Sequence, residues 1–251
     1  MTAFRNMILS FGEYWIIVSD LISGIRTIRE NWDETMTEMY LLGTKAIPLV
    51  LLGGLFTGVI LAIETGHQLK IFGATSLISR TVSLGMVREL GPVVTGLLLA
   101  ARTGAKNSSE IGAMKLSDQI DALTAFGFNP VHKLILPRTA AAIIMFLPLT
   151  LIADITGILG GMLIANQTFQ IETALFWDTA INALKVRDLF VGFAKPFFFA
   201  FFISTISCYF GLRTTGGTSG LGKNTINAVV YSSIVILVID FIFTKIVWEV
   251  L

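Results

Sequence analysis

Residues 139–165 read TAAAIIMFLPLTLIADITGILGGMLIA, a run in which Asp154 is the one ionisable side chain. A helix needs roughly 20 mostly apolar residues to cross the hydrocarbon layer of a bilayer, and this run is long enough. Three more qualify: 46–65 (AIPLVLLGGLFTGVILAIET), 189–212 (LFVGFAKPFFFAFFISTISCYFGL) and 226–248 (INAVVYSSIVILVIDFIFTKIVW). A fifth, 84–101 (LGMVRELGPVVTGLLLAA), is apolar except for Arg88 and Glu89. The expected fold is an all-α integral membrane protein with five transmembrane helices. Composition agrees, since the chain is 54% hydrophobic and 14% charged, where soluble domains are about 25% charged.

The net charge of +1 gives no reason to expect nucleic acid as a partner. Cys208 is the single cysteine, so no internal disulfide can form, and it reads as a small packing residue. His67 and His132 are the two histidines, and no Ser-His-Asp or paired acidic metal motif stands out, so neither catalysis nor a metal site is expected. No small-residue cleavage site follows a clean apolar core near the N-terminus, so no signal peptide is expected.

Residues 1–45 form an N-terminal region apart from the transmembrane domain at 46–251. Phe4, Met7, Phe11, Trp15, Val18, Ile22 and Ile25 recur every three or four residues, with Arg5, Asn6, Glu13 and Asp20 between them. That spacing predicts an amphipathic helix with charges too frequent for a span. It is expected to lie in the membrane interface, where Tyr14 and Trp15 suit the headgroups; the alternative is a helix packed on the protein's own spans. Eleven Lys and Arg fall on the side of the N-terminus and seven on the other. The excess predicts a cytoplasmic N-terminus.

On that topology 213–225 is a cytoplasmic connection. Its segment Gly217-Thr-Ser-Gly-Leu-Gly-Lys-Asn224 falls one residue short of the phosphate-binding loop G-x-x-x-x-G-K-[ST]. Asn224 stands where the Mg²⁺-holding hydroxyl belongs, and an apolar helix precedes it instead of a buried strand. A Gly-rich linker is expected, with Asn224 or Thr225 capping the last span.

The longest cytoplasmic connection, 102–138, carries more pattern. Asn107 followed by Glu110 reads as an N-cap with its partner. Ile111, Met114, Ile120 and Leu123 make a rough apolar stripe, while Lys115, Asp118 and Asp121 make a polar face. Gly127 and Pro130 end it, so one amphipathic helix over about 107–127 is predicted. Such a helix either docks a motor subunit or covers its own bundle; the pattern leaves both open.

The runs Arg88-Glu-Leu-Gly-Pro-Val-Val94, Ala101-Arg-Thr-Gly104, Glu110-Ile-Gly-Ala-Met114 and Phe128-Asn-Pro130 resemble the signature of the MlaE/YrbE family, the permease subunits of lipid-transporting ABC systems that work with MCE-domain proteins. The likeness runs from about residue 46 to the C-terminus. Asn129 departs from it, standing where the family pattern has Asp.

The resemblance implies a homodimer in a bacterial inner membrane, with lipid held between the copies. It implies a separate cytoplasmic ABC ATPase carrying ATP and Mg²⁺, a periplasmic MCE hexamer and a small cytoplasmic STAS-type subunit. Coupling to the ATPase falls to Glu110, Ile111, Met114, Lys115, Asp118 and Asp121. The cargo is phospholipid in well-known members and includes sterols and fatty acids in actinobacterial relatives. Lipid contacts are expected from Leu55, Phe56, Val59 and Ile63 of span one and Glu89, Leu90, Val93 and Leu97 of span two.

Ionisable groups at membrane depth cost roughly 2.5–3.5 kcal/mol each and usually face protein or water. Arg88, Glu89, Asp154, Asp240 and Lys245 are such groups. Arg88 and Glu89 point about 100° apart on a helix, so each is expected to find its own partner. Asp154, Asp240 and Lys245 define the competing reading, an ion-coupled carrier, which would call for inverted repeats that the sequence does not display. Gly54 with Gly58, and Gly157 with Gly161, have the small-xxx-small spacing that permits close helix contact, within or between subunits.

Overall fold

The computed structural model describes residues 2–250, with side chains from Leu9 onward except those of Trp248 and Val250. Among the described residues, regular structure is helical throughout. Five stretches are long and apolar enough to cross a membrane: Trp32–Ile71, Thr75–Leu116, Val131–Phe169, Val186–Leu212 and Gly217–Val247. The five-span, all-α expectation is met. Each stretch outgrows the apolar run that announced it.

The elements are α1 (Thr2–Ser23), α2 (Trp32–Ile71), α3 (Ile78–Gly85), α4 (Gly91–Leu99), α5 (Ala105–Leu116), α6 (Gln119–Ala125), α7 (Leu136–Phe169), α8 (Thr173–Ala183), α9 (Val186–Leu212) and α10 (Gly217–Val250). Wide π-turns at Met86–Leu90, Ala100–Gly104 and Val131–Ile135 join α3 to α4, join α4 to α5 and lead into α7. Two compact units form. One gathers Met1–Leu42, Leu99–Ile144 and Ala200–Val235; the other gathers Gly43–Leu98, Met145–Phe199 and Ile236–Leu251.

In the first unit, Leu21, Ile111, Ile120, Val131, Ile135, Leu136 and Cys208 make the core. Helix α1 lies against it. Val18 and Leu21 are buried, and Tyr14 shares a hydrogen bond with Thr205 at 2.8 Å. Burial raises the Tyr14 phenol above its ordinary pKa, and the Thr205 bond opposes that rise. Phe11, Trp15, Ile22 and Ile25 of the expected stripe stay exposed, so α1 is apolar on more than the face it buries. Phe4 and Met7 lie outside the residues whose side chains are described.

Two sequence expectations change here. The single helix over 107–127 is two helices. Asn107 is buried inside α5, not capping it, because the second span continues unbroken to Leu116. The chain then turns at Asp118, whose φ of 56° is left-handed, and restarts as α6. The Gly-rich 217–224 segment is not a linker but the first two turns of α10, entered through Gly216 and Gly217 at φ 83° and 68°. Leu221 packs onto Gly112, and that contact holds the turn helical despite its glycines. Thr225 lies inside the helix, bonding to Leu221 O at 2.9 Å, and Asn224 reaches back to Thr214 at 3.4 Å; neither caps the helix.

In the second unit, α2 and α7 cross at their glycines. A Cβ at Gly58 would overlap the backbone of Gly157, and one at Gly54 would overlap that of Ala153. The small-residue spacing therefore serves a contact within this chain. Helix α8, unannounced by any pattern read above, closes the core through Phe176 and Ala180 against Ile78 and Val82 of α3.

Candidate functional site

The second unit holds a charged cluster built from three spans. Lys195 lies in α9 with none of its side chain exposed. Its Nζ is 2.5 Å from Glu89 Oε2, 2.8 Å from Asp240 Oδ1 and 3.0 Å from Thr244 Oγ1. The Asp240 contact is an ion pair off the axis of a hydrogen bond. Asp240 and Thr244 sit one turn apart on one face of α10, and Thr244 Oγ1 donates in turn to Glu89 at 3.1 Å. A buried ammonium is tolerable only when paired in this way.

Glu89 belongs to the π-turn Met86–Leu90, and its neighbour Arg88 faces elsewhere. Arg88 Nε donates to Asp188 Oδ1 at 2.9 Å, with Nη2 on the same oxygen. Asp188, three residues into the start of α9, also accepts the Lys185 amide at 2.9 Å, one half of a capping box. The separate partners expected for Arg88 and Glu89 are thus Asp188 and Lys195.

The π-turn has a second consequence. The amide of Gly91 reaches Met86 O, five residues back. The next carbonyl in that register, Val87 O, would need the amide of residue 92, and Pro92 has none. Gly192 of α9 fills the space over that carbonyl, where a Cβ would collide with it. π-turns of this kind recur at functional sites.

Beside the turn lies a cleft of about 570 Å³, lined by Leu77, Arg80, Thr81, Leu84, Gly85, Arg88, Glu89 and Thr244. Its wall combines two leucines and a glycine with two guanidinium groups, two threonine side chains and a single carboxylate. Such a lining suits an amphipathic ligand with an anionic head.

The other expected lipid contacts are placed differently. Leu55 and Val59 pack on Gly160 of α7, and Leu90 joins the α3–α8 core. Phe56 is exposed; Ile63, Val93 and Leu97 are half-buried. Asp240 faces Lys195, while Lys245 lies 3.7 Å from Glu249. Asp154 is buried against Gly91, and neither of its oxygens has a hydrogen-bond partner. The three groups of the carrier reading are therefore not joined. Lys195 and Asp188 were missed by the sequence reading; the signal for Lys195 is a cation inside the apolar run 189–212.

In the first unit, Glu110 is engaged within the chain, 3.0 Å from Arg138 and 3.6 Å from Lys106. Glu38 completes the group at 3.2 Å from Arg138 and 2.7 Å from Lys106. Ile111 is fully buried against Gly211. Met114 packs on the unit's core, and Lys115 pairs with Asp121 at 2.8 Å. Asp118 is exposed at the turn. The large apolar side chains exposed at this corner are Leu116, Phe126 at 80% and Phe128 at 57%.

The family model described as Permease MlaE matches residues 35–246. A probable ABC transporter permease protein of Rickettsia bellii is 35% identical over 241 residues, covering 96% of this chain and 93% of that one. Its counterpart in Rickettsia typhi is 35% identical over 215 residues, covering 86% and 83%. The intermembrane phospholipid transport system permease protein MlaE of Haemophilus influenzae is 31% identical over 240 residues, covering 95% and 92%.

Proposed function

This chain belongs to the MlaE permease family of ABC transporters, and on that footing we propose that it moves phospholipid between a bacterial inner membrane and a periplasmic MCE-domain protein. The chain is a transport component. In this reading ATP and Mg²⁺ are bound by a separate cytoplasmic ATPase, with a small STAS-type subunit beside it. Two permease copies form a homodimer, and the N-terminus faces the cytoplasm. The lipid flow serves the asymmetry of the outer membrane.

The observation that carries the reading is the cleft beside the π-turn. Arg80 offers a guanidinium group to a phosphate, with Arg88 held beside it by Asp188, and Leu77 and Leu84 offer apolar surface to the start of an acyl chain. Burial of the chain supplies about 25 cal/mol per Å². Lys195 holds the Glu89 carboxylate at the cleft wall, so the wall keeps one fixed negative charge for the amine of a headgroup. The name of the Haemophilus influenzae relative supports phospholipid as the cargo. On the ATPase side, Leu116, Phe126 and Phe128 are the apolar knobs available to a partner's groove.

The test is reconstitution of the full chain with its cognate ATPase in liposomes carrying a fluorescent phospholipid. Transfer should require ATP and fall sharply with Arg80→Gln. Transfer driven by a proton gradient without the ATPase would overturn the proposal in favour of an ion-coupled carrier.

A further inference from the structure

A second cleft, of about 510 Å³, lies within the first unit between α1 and the facing parts of α9 and α10. That volume is within the ~300–1,000 Å³ of pockets that hold a small ligand. Phe11, Trp15, Phe202, Ile206, Phe210 and Tyr231 make most of its wall. Phe11, Trp15 and Tyr231 are each half or more exposed. Aromatic surface open to this extent at a cleft of a membrane protein calls for acyl chain, not water.

One end is polar. Arg213 lines it and is half exposed, and Glu13 stands 3.3 Å away, also half exposed. Arg213 Nη1 donates to Ser10 Oγ at 2.9 Å and to Tyr209 Oη at 2.5 Å, and the guanidinium lies 5.5 Å from the Tyr209 ring centroid. Tyr209 Oη donates onward to Ser10 O at 3.2 Å. These bonds hold the guanidinium in place while leaving part of its surface open. The cleft thus has one cation in its lining, Arg213, and beside that cation, just outside the lining, one anion, Glu13.

We propose that this cleft holds a resident zwitterionic glycerophospholipid that fastens α1 to the spans. The phosphate meets Arg213, the headgroup amine meets Glu13, and an acyl chain lies along the aromatic floor. An anionic lipid without an amine would satisfy Arg213 and set its negative charge beside Glu13 with no compensation. The proposal requires that the chain lie in a bilayer; it does not depend on which cargo moves or on what drives it.

The full-length chain in nanodiscs with dibrominated-acyl phospholipids tests this, because bromine quenches nearby tryptophan and Trp15 lines the cleft. The Trp15 component is the difference between wild type and Trp15→Phe. It should be half quenched at a mole fraction of brominated phosphatidylethanolamine roughly fivefold lower than of brominated phosphatidylglycerol, the discrimination one half-exposed ion pair supplies. Glu13→Gln should abolish that preference. Arg213→Ala should weaken both lipids by roughly tenfold, as losing one charge-assisted hydrogen bond does, while Arg213→Lys keeps the preference. Equal quenching by the two wild-type lipids would overturn the proposal. So would a Trp15 component insensitive to brominated lipid, the result expected if a protein segment fills the cleft.

Discussion

Lys195 Nζ lies 2.5 Å from Glu89 Oε2, and the lysine side chain has no exposed surface. The ammonium is held between two carboxylates from different spans, with Asp240 on its other side at 2.8 Å. Removing it strands both. Lys195→Met should therefore destabilise the chain by about 3 kcal/mol or more, the range for breaking a buried pair. Lys195→Met combined with Glu89→Gln and Asp240→Asn should recover most of that loss. Denaturant titration in detergent micelles reads both; a single variant as stable as wild type would show the pairing to be energetically idle.

Asp154 behaves oppositely. Both carboxylate oxygens are buried and unpartnered, and an unpaired buried polar group is costly. Asp154→Asn should gain on the order of 1 kcal/mol in the same titration. If transport falls as stability rises, the aspartate is retained for function. A loss of stability would mean that the carboxylate has a partner in the working assembly.

Gly91 faces that carboxylate so closely that a Cβ would overlap Asp154 Oδ1. Gly91→Ala should cost about 1–3 kcal/mol, as overpacking does. Gly91→Ala with Asp154→Gly should be milder than Gly91→Ala alone. Additivity of the two changes would deny the contact.

Asn129 bridges two elements. Its Oδ1 accepts the Val131 amide at 2.9 Å, and its Nδ2 donates to Asp20 Oδ2 at 2.8 Å. Asn129→Asp keeps the first bond and turns the second into a carboxylate contact. It should cost about 1 kcal/mol and be rescued by Asp20→Asn, measured by thermal melting. Asp20, the partner of Asn129, also lies 3.2 Å from His132.

At the α5–α6 corner, exposure separates two kinds of variant. Phe126→Glu and Phe128→Glu should leave the melting temperature within error and reduce co-purification of the ATPase about tenfold or more, as interface anchors do. Ile111→Glu should instead unfold the chain, because Ile111 is fully buried. Normal ATPase capture by both phenylalanine variants would place the docking surface elsewhere.

Hydropathy alone determined the number of spans and the helical class, and residue spacing marked the close-packing glycines, because each is a local property of the chain. It understated the lengths. Residues 102–116 continue the second span although they are polar, since Lys106 and Glu110 find partners in Glu38 and Arg138. Likewise the glycines of 217–224 read as a linker until Leu221 meets Gly112. The identities of the charged pairs belong to tertiary structure. Glu89 and Lys195 are 106 residues apart, Arg88 and Asp188 are 100 apart, and no local pattern encodes which span faces which. The sequence shows that a charge within a span must be neutralised, and the packing of helices decides by what.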